Sequence, residues 1–193
     1  MEIDPELREG VVESLPEARN IKDDDLRERV YDAWALSLSK SSYKRIEDIG
    51  ASGGTGTPAL KTGTQADHAN GVARMGAAMA TALKSTIKDF EVDMDEVIAG
   101  GLCHDIGKPF EFDPVNRERW EADPGKTGLP SMRHTLYGVY ICLSAGLPEE
   151  IAHIAGAHSL EGENVARSAV CEIIHFADYA FWGILGKAGQ LGE

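Results

Sequence analysis

Six histidines, His68, His104, His134, His153, His158 and His175, are the only imidazoles in a chain of 193 residues, and one of them is followed directly by an aspartate, in GGLCHDIGKPF. An isolated His-Asp pair says little; its companions say more. His68 stands near the start of the predicted helix before the pair, His134 near the start of the one after it, His158 at the end of the next, and Asp178 inside the last long helix. Neutral imidazole and carboxylate together suit divalent ions such as Mn, Fe, Co, Ni or Zn, whereas calcium takes oxygens alone. Successive helical residues point about 100° apart, so His104 and Asp105 do not serve one ion as a face pair, but the aspartate can bridge two ions while the histidine binds one. The natural reading is a two-metal site. Two ions about 3.5 to 4 Å apart share a water, lower its pKa, hold the bridging hydroxide against an electrophile and bind the oxygen on which charge develops.

The other candidates carry less. His153 lies five residues before His158, about 140° round a helix, and reads as a structural or exposed histidine. His175 precedes Asp178 by three residues and shares nearly its face; a packed histidine with a backbone partner is the leading reading, a residue orienting Asp178 or touching substrate the second. Trp34, Trp120 and Trp182 read as packing residues, with Trp120 the one to examine for substrate contact. Cys103, Cys142 and Cys171 are odd in number and set among apolar neighbours, as small buried hydrophobes of a reducing compartment.

These residues need helices to position them. PELREGVVESL and DDDLRERVYDAWALSL, within residues 2–38, read as two, the second opening on an acidic cap and carrying Leu26, Val30, Ala33 and Trp34 at helical spacing. Residues 39–64, rich in Ser, Gly, Thr and Lys, read as a long flap-like loop. Five helices follow, in QADHANGVARMGAAMATALKSTI, DMDEVIAGGLCHDIG, SMRHTLYGVYICLSAG, PEEIAHIAGAHS and NVARSAVCEIIHFADYAFWGILG, with residues 108–130 as a second loop. Pro148 suits a first helical turn and Gly146 the end of the helix before it. Strand alternation is nearly absent, so the fold class is all-α. The expected organisation is N-terminal helices and flap over 1–64 and a helical domain over 65–193, packed as one compact unit.

Composition narrows the partners. An apolar fraction of 42% with 26% charged residues is that of a globular chain. With 19 Lys and Arg against 32 Asp and Glu, the net charge of −13 repels a phosphate backbone, and no basic stripe offsets it, so a small-molecule substrate is expected and nucleic acid is not. The longest apolar run, YGVYICLSAGL at 137–147, is about half of what a membrane helix needs, so no membrane partner is expected. The acidic start MEIDPELREG lacks a signal core, so a cytoplasmic location is expected. Association with further copies of itself is left open.

The ordered set of His68, the pair at 104 and 105, His134, His158 and Asp178, with IGK after the pair, RH before a helix ending in AGLP, and the phrase HFADYA, resembles the HD-domain superfamily of metal-dependent phosphohydrolases in its two-metal version, over residues 65–186. The resemblance implies an HD-domain helical bundle. It puts His68, His104, Asp105 and Asp178 around one ion, and Asp105, His134 and His158 around the other, with Asp105 as the bridge. Lys108 matches a lysine that reaches the substrate or the nucleophilic water. As a compact cation it suits an anionic transition state, and Arg133 offers a planar fork beside His134 for the same purpose, so Asp105, Lys108 and Arg133 form the expected catalytic set. Arg117, Arg119 and Lys126 are further cations near the site. The implied activity is hydrolysis of a small phosphate ester or nucleotide; a non-phosphate substrate (amide, lactone or amidine), a mixed-valent di-iron oxygenase and a noncatalytic metal-binding module are the alternatives.

Overall fold

Helix ends leave N–H groups unpaired, and in this chain short polar side chains take them up at the expected places. The computed structural model describes residues 3–53 and 57–192. Helix α1 spans Pro5–Ser14 and α2 Asp24–Ser39, the latter capped by Asp23, whose carboxylate accepts from the Asp25 and Leu26 N–H groups. Helix α3 (Gln65–Thr86) opens on a reciprocal box in which Thr64 and Asp67 cap one another. Asp93 caps α4 (Met94–Cys103), and Ser168 caps α10 (Ala169–Lys187). Between them lie α8 (His134–Ser144) and α9 (Glu149–Ala157). The fold is all-α with one small hairpin.

Two stretches expected to be loops are more ordered than that. Residues 108–130 form three short helices, α5 (Lys108–Phe112), α6 (Pro114–Ala122) and α7 (Pro124–Thr127). Asp113 and Asp123 cap the last two, each followed by a proline whose fixed φ suits a first helical position. Within 39–64, a turn at Ile46–Asp48 leads into antiparallel strands β1 (Gly50–Ser52) and β2 (Ala59–Thr64). A glycine-rich ribbon of two strands is marginal alone. Here its outer edge is paired too, because the Lys61 N–H donates to the Gln190 carbonyl at 2.9 Å and the Gly192 N–H to that of Ala59 at 2.8 Å. Gly54, Thr55 and Gly56 of the expected flap lie outside the described residues.

The core follows from the helical stripes. Ala69, Val72, Ala73, Gly76 and Ala80 bury one face of α3 against α4, which is itself buried from Val97 to Cys103. Helix α2 packs on α4, α5 and α8, and its fully buried Trp34 belongs to a hydrophobic cluster that runs from Leu7 to Ala177. Helix α10, at 19 residues with a mean hydropathy of 1.2, is long and apolar enough to cross a membrane by length and composition. Glu172, His175 and Asp178 interrupt its apolar residues, so it holds no long uninterrupted apolar run. In the fold it packs on α3, α4 and α9 and buries His175 and Asp178.

Candidate metal centre

The last four carbonyls of an α-helix need partners from outside it, and at the end of α4 the way they are met builds the site. His104 is the residue that ends the helix, and its Nδ1 lies 2.7 Å from the Gly101 carbonyl. The Trp34 indole donates to the Leu102 carbonyl at 3.0 Å, and the Ile106 N–H to that of Cys103 at 3.1 Å. The chain then turns through Asp105 and Gly107 into α5, and Ser37 on α2 donates to the Ile106 carbonyl at 2.6 Å. Gly107 has to be glycine: a Cβ there would stand 2.0 Å from the His134 carbonyl oxygen. That close approach brings the start of α8 against the turn.

Asp105 sits at the centre of the resulting cluster. Its Oδ2 lies 3.1 Å from His68 Nε2 and 3.2 Å from His104 Nε2, while Oδ1 lies 3.3 Å from His134 Nε2 and 3.6 Å from His158 Nε2. Asp178 Oδ1 completes the first side at 3.2 Å from His68 Nε2 and 3.9 Å from His104 Nε2. All six side chains expected from the sequence are buried and come together. His68, His104 and Asp178 form one group whose donor atoms all lie within 4.8 Å of one another, and His104, Asp105 and His158 form a second. His134 belongs to neither group and joins through Asp105 Oδ1.

The chemistry of this donor set fits divalent metal. Imidazole ligands are oriented by a partner on the other ring nitrogen, which fixes the tautomer. His104 Nδ1 has the Gly101 carbonyl, His134 Nδ1 the Glu111 carboxylate at 2.7 Å, and His158 Nδ1 the Ala155 carbonyl at 3.1 Å. These acceptors place the proton on Nδ1 and leave an Nε2 lone pair facing the cluster. His68 Nε2 and His104 Nε2 are only 3.0 Å apart, and Asp178 Oδ1 is buried without a hydrogen-bond partner. Converging lone pairs and an orphaned carboxylate oxygen are costly in a dry interior unless a cation satisfies them.

The electrostatics keep the acids ionised. Burial pushes Asp105 up, but Lys108 and His104 outweigh it and hold the carboxyl well below its ordinary value. Burial opposes ionisation of Asp178 as well, and the neighbouring His68 and His104 again bring it below the usual range. Lys108 is almost wholly buried, with Nζ 2.6 Å from Asp105 Oδ2 and donating to the Ser52 carbonyl of β1 at 2.6 Å. Gln65 donates to the same Asp105 oxygen at 3.0 Å.

Glu111 on α5 is a residue that sequence reasoning missed. Fully buried, it accepts from both the ring Nδ1 and the backbone N–H of His134 through Oε2, and from Arg133 through Oε1 at 2.8 Å. Burial pushes its carboxyl up; the His134 contacts prevail and bring it down to about 2. A single glutamate between Phe110 and Phe112 was the one signal available. Burial lowers the pKa of His134, which favours the neutral imidazole.

Other candidates separate from the cluster. His153 accepts from the Ser168 N–H, away from the donors. His175 Nδ1 meets the His158 carbonyl at 2.6 Å, the backbone partner expected of a packed histidine. Trp120 is buried against Phe110 and is not among the described residues that line the cavity reaching the cluster. Trp182, read as packing, does so: a cavity of about 680 Å³ reaches Asp178 and is lined by Tyr179, Trp182, Arg133, Glu161, Leu160 and Pro58, among others. Arg117 and Arg119 bond Glu121 and Asn116 on their own helix, and neither they nor Lys126 line that cavity.

The model of the HD domain matches residues 66–181, well over half of the chain and the whole donor cluster. The chain belongs to the HD-domain superfamily of metal-dependent phosphohydrolases. HD domains bind divalent metals, and the His and Asp groups of this one are able to hold them. Among curated proteins, the dihydroneopterin 2′,3′-cyclic phosphate phosphodiesterase of Methanocaldococcus jannaschii is 26% identical over 169 residues, covering 84% of this HD-domain chain and 65% of that enzyme. The chain thus spans slightly less than two thirds of that relative's length. No solved structure gives a significant match.

Proposed function

We propose that the chain is a hydrolase of a small phosphate ester that works with two divalent ions, one among His68, His104, Asp105 and Asp178 and the other among Asp105, His134 and His158. The observation that carries this is the division of Asp105, with one oxygen facing His68 and His104 and the other facing His134 and His158. Bound there, such ions supply the charge that activates water near neutral pH and stabilises a phosphoryl oxygen. The mixed nitrogen and oxygen donors favour an ion of the Mn, Fe, Co, Ni or Zn group.

The protein's own part is positioning and screening. Asp105 stays ionised beside Lys108, and the Nδ1 partners hold three imidazoles with their Nε2 atoms inward. Lys108 Nζ is a buried point charge beside the bridging carboxylate, placed to offset negative charge that grows during reaction. Arg133 lies in the cavity wall with its fork braced by Glu111 and Glu161, which restrains a cation where a single phosphate could meet it.

The relative's activity on a cyclic phosphate favours a phosphoester over the amide, lactone and oxygenase alternatives, and makes a 2′,3′-cyclic phosphodiester the first substrate to try. The test is release of product from a panel of cyclic phosphodiesters and phosphomonoesters by chelator-treated protein to which each metal is returned. Metal-restored turnover of one class supports the proposal. Absence of turnover across the panel with every metal contradicts it.

A further inference from the structure

Resting on that phosphoester reading, we infer that the substrate carries a single phosphate on a flat ring system, and that the site discriminates against polyphosphates. A cavity of about 680 Å³ is far larger than one phosphoryl group fills. Asp178, Tyr179 and Trp182 lie at positions i, i+1 and i+4 of α10, so two aromatic side chains occupy the turn next to a residue of the donor cluster. The Trp182 ring is also 4.9 Å from that of His68, which ties the aromatic wall to the cluster. Leu160, Leu191 and Pro58 line the same cavity and add apolar surface to it. Aromatic and aliphatic side chains lining one cavity suit a planar heterocycle, whose faces stack without demanding a particular hydrogen-bond pattern.

The charges of the wall set the number of phosphates. Among the described residues, Arg133 is the cation that lines the cavity, and it is already paired with Glu111 and Glu161. Lys108, behind the cluster, is held by Asp105 and the Ser52 carbonyl. Glu161 and Asp178, which also line it, are acidic. One phosphoryl group can be served at the metal donors. A tail of two more would meet carboxylates and apolar surface, with no second cation among the described lining residues to receive it.

Calorimetry on the metal-loaded full chain tests this with probes that cannot be hydrolysed: methylphosphonate, the monophosphonates of adenosine, guanosine and neopterin, and adenosine 5′-(β,γ-imido)triphosphate. At least one ring-bearing monophosphonate is expected to bind roughly 10- to 100-fold tighter than methylphosphonate, as stacking one ring provides. The triphosphate analogue is expected to bind no tighter than methylphosphonate. Tyr179→Ala should lose about tenfold of the ring-dependent affinity and Tyr179→Phe should retain it. Equal affinity for ring-bearing and ringless monophosphonates, or a triphosphate bound as tightly as the best monophosphonate, would overturn the inference. Because no probe is turned over, ring preference in a protein without phosphoesterase activity would sink the functional reading alone.

Discussion

Glu111 and His134 share two contacts through one carboxylate oxygen: Oε2 takes both the ring Nδ1–H and the backbone N–H of the histidine that opens α8. One buried acid thereby fixes the tautomer of an imidazole and caps the helix that carries it.

Replacing Glu111 with glutamine or alanine should therefore weaken metal binding by about 10- to 100-fold without touching any expected ligand. Competition against a chromophoric chelator reads this directly. His153→Ala, remote from the donors, should bind metal as the parent does, and a loss there equal to that of Glu111→Ala would remove the special role given to Glu111.

Acid stability should carry the same signature. The folded Glu111 carboxyl lies at about 2 against an ordinary 4.5, so its stabilisation is complete above about pH 4.5 and is lost as pH falls through about 2. The contribution at neutral pH is on the order of 3 kcal/mol. Urea denaturation of metal-free protein from pH 6 down to pH 2 checks it. Glu111→Gln should flatten the acid limb of the stability curve, and an unchanged limb would contradict the assignment.

Lys108→Met keeps most of the side chain's volume and removes its charge. Metal should still bind, while turnover falls by about 10²- to 10³-fold if the ammonium offsets charge that develops in reaction. The hairpin should loosen as well, since the Ser52 carbonyl loses its donor, and limited proteolysis between Gly50 and Thr64 would rise. Full turnover in the variant would leave Lys108 a purely structural cation.

Gly107→Ala tests how tightly the turn after the His-Asp pair is held against α8. An added Cβ would meet the His134 carbonyl at 2.0 Å and the Gly138 nitrogen at 2.7 Å, both backbone atoms that cannot swing away. The expected loss is about 3 kcal/mol or more. Thermal unfolding measures it, and a variant as stable as the parent would mean that the two segments separate freely.

The sequence made the donor cluster legible because the chemistry needs particular residue types, and the ends of α4 and α9 and the starts of α3 and α8 fall where caps and periodicity put them. Glu111 was not legible in the same way, since its meaning comes from α5 meeting α8, a tertiary contact that no local pattern announces. The short helices α6 and α7 were signalled by two Asp-Pro dipeptides, a cap followed by a first-turn proline, which the charged and aromatic content of the stretch obscured. The hairpin was hidden for another reason: a glycine-rich strand gains its order from the Gln190 to Gly192 segment, more than a hundred residues away in sequence. Trp120 and Trp182 exchanged roles because exposure of a large ring depends on how α6 and α10 pack, and spacing alone does not decide it.

Anomalous diffraction from crystals of the metal-loaded protein puts the central claim to its most direct test. Two peaks about 3.5 to 4 Å apart, with the Asp105 carboxylate between them, are the expected result. A single peak, or two peaks with Asp105 ligating neither, would contradict the paired-ion site.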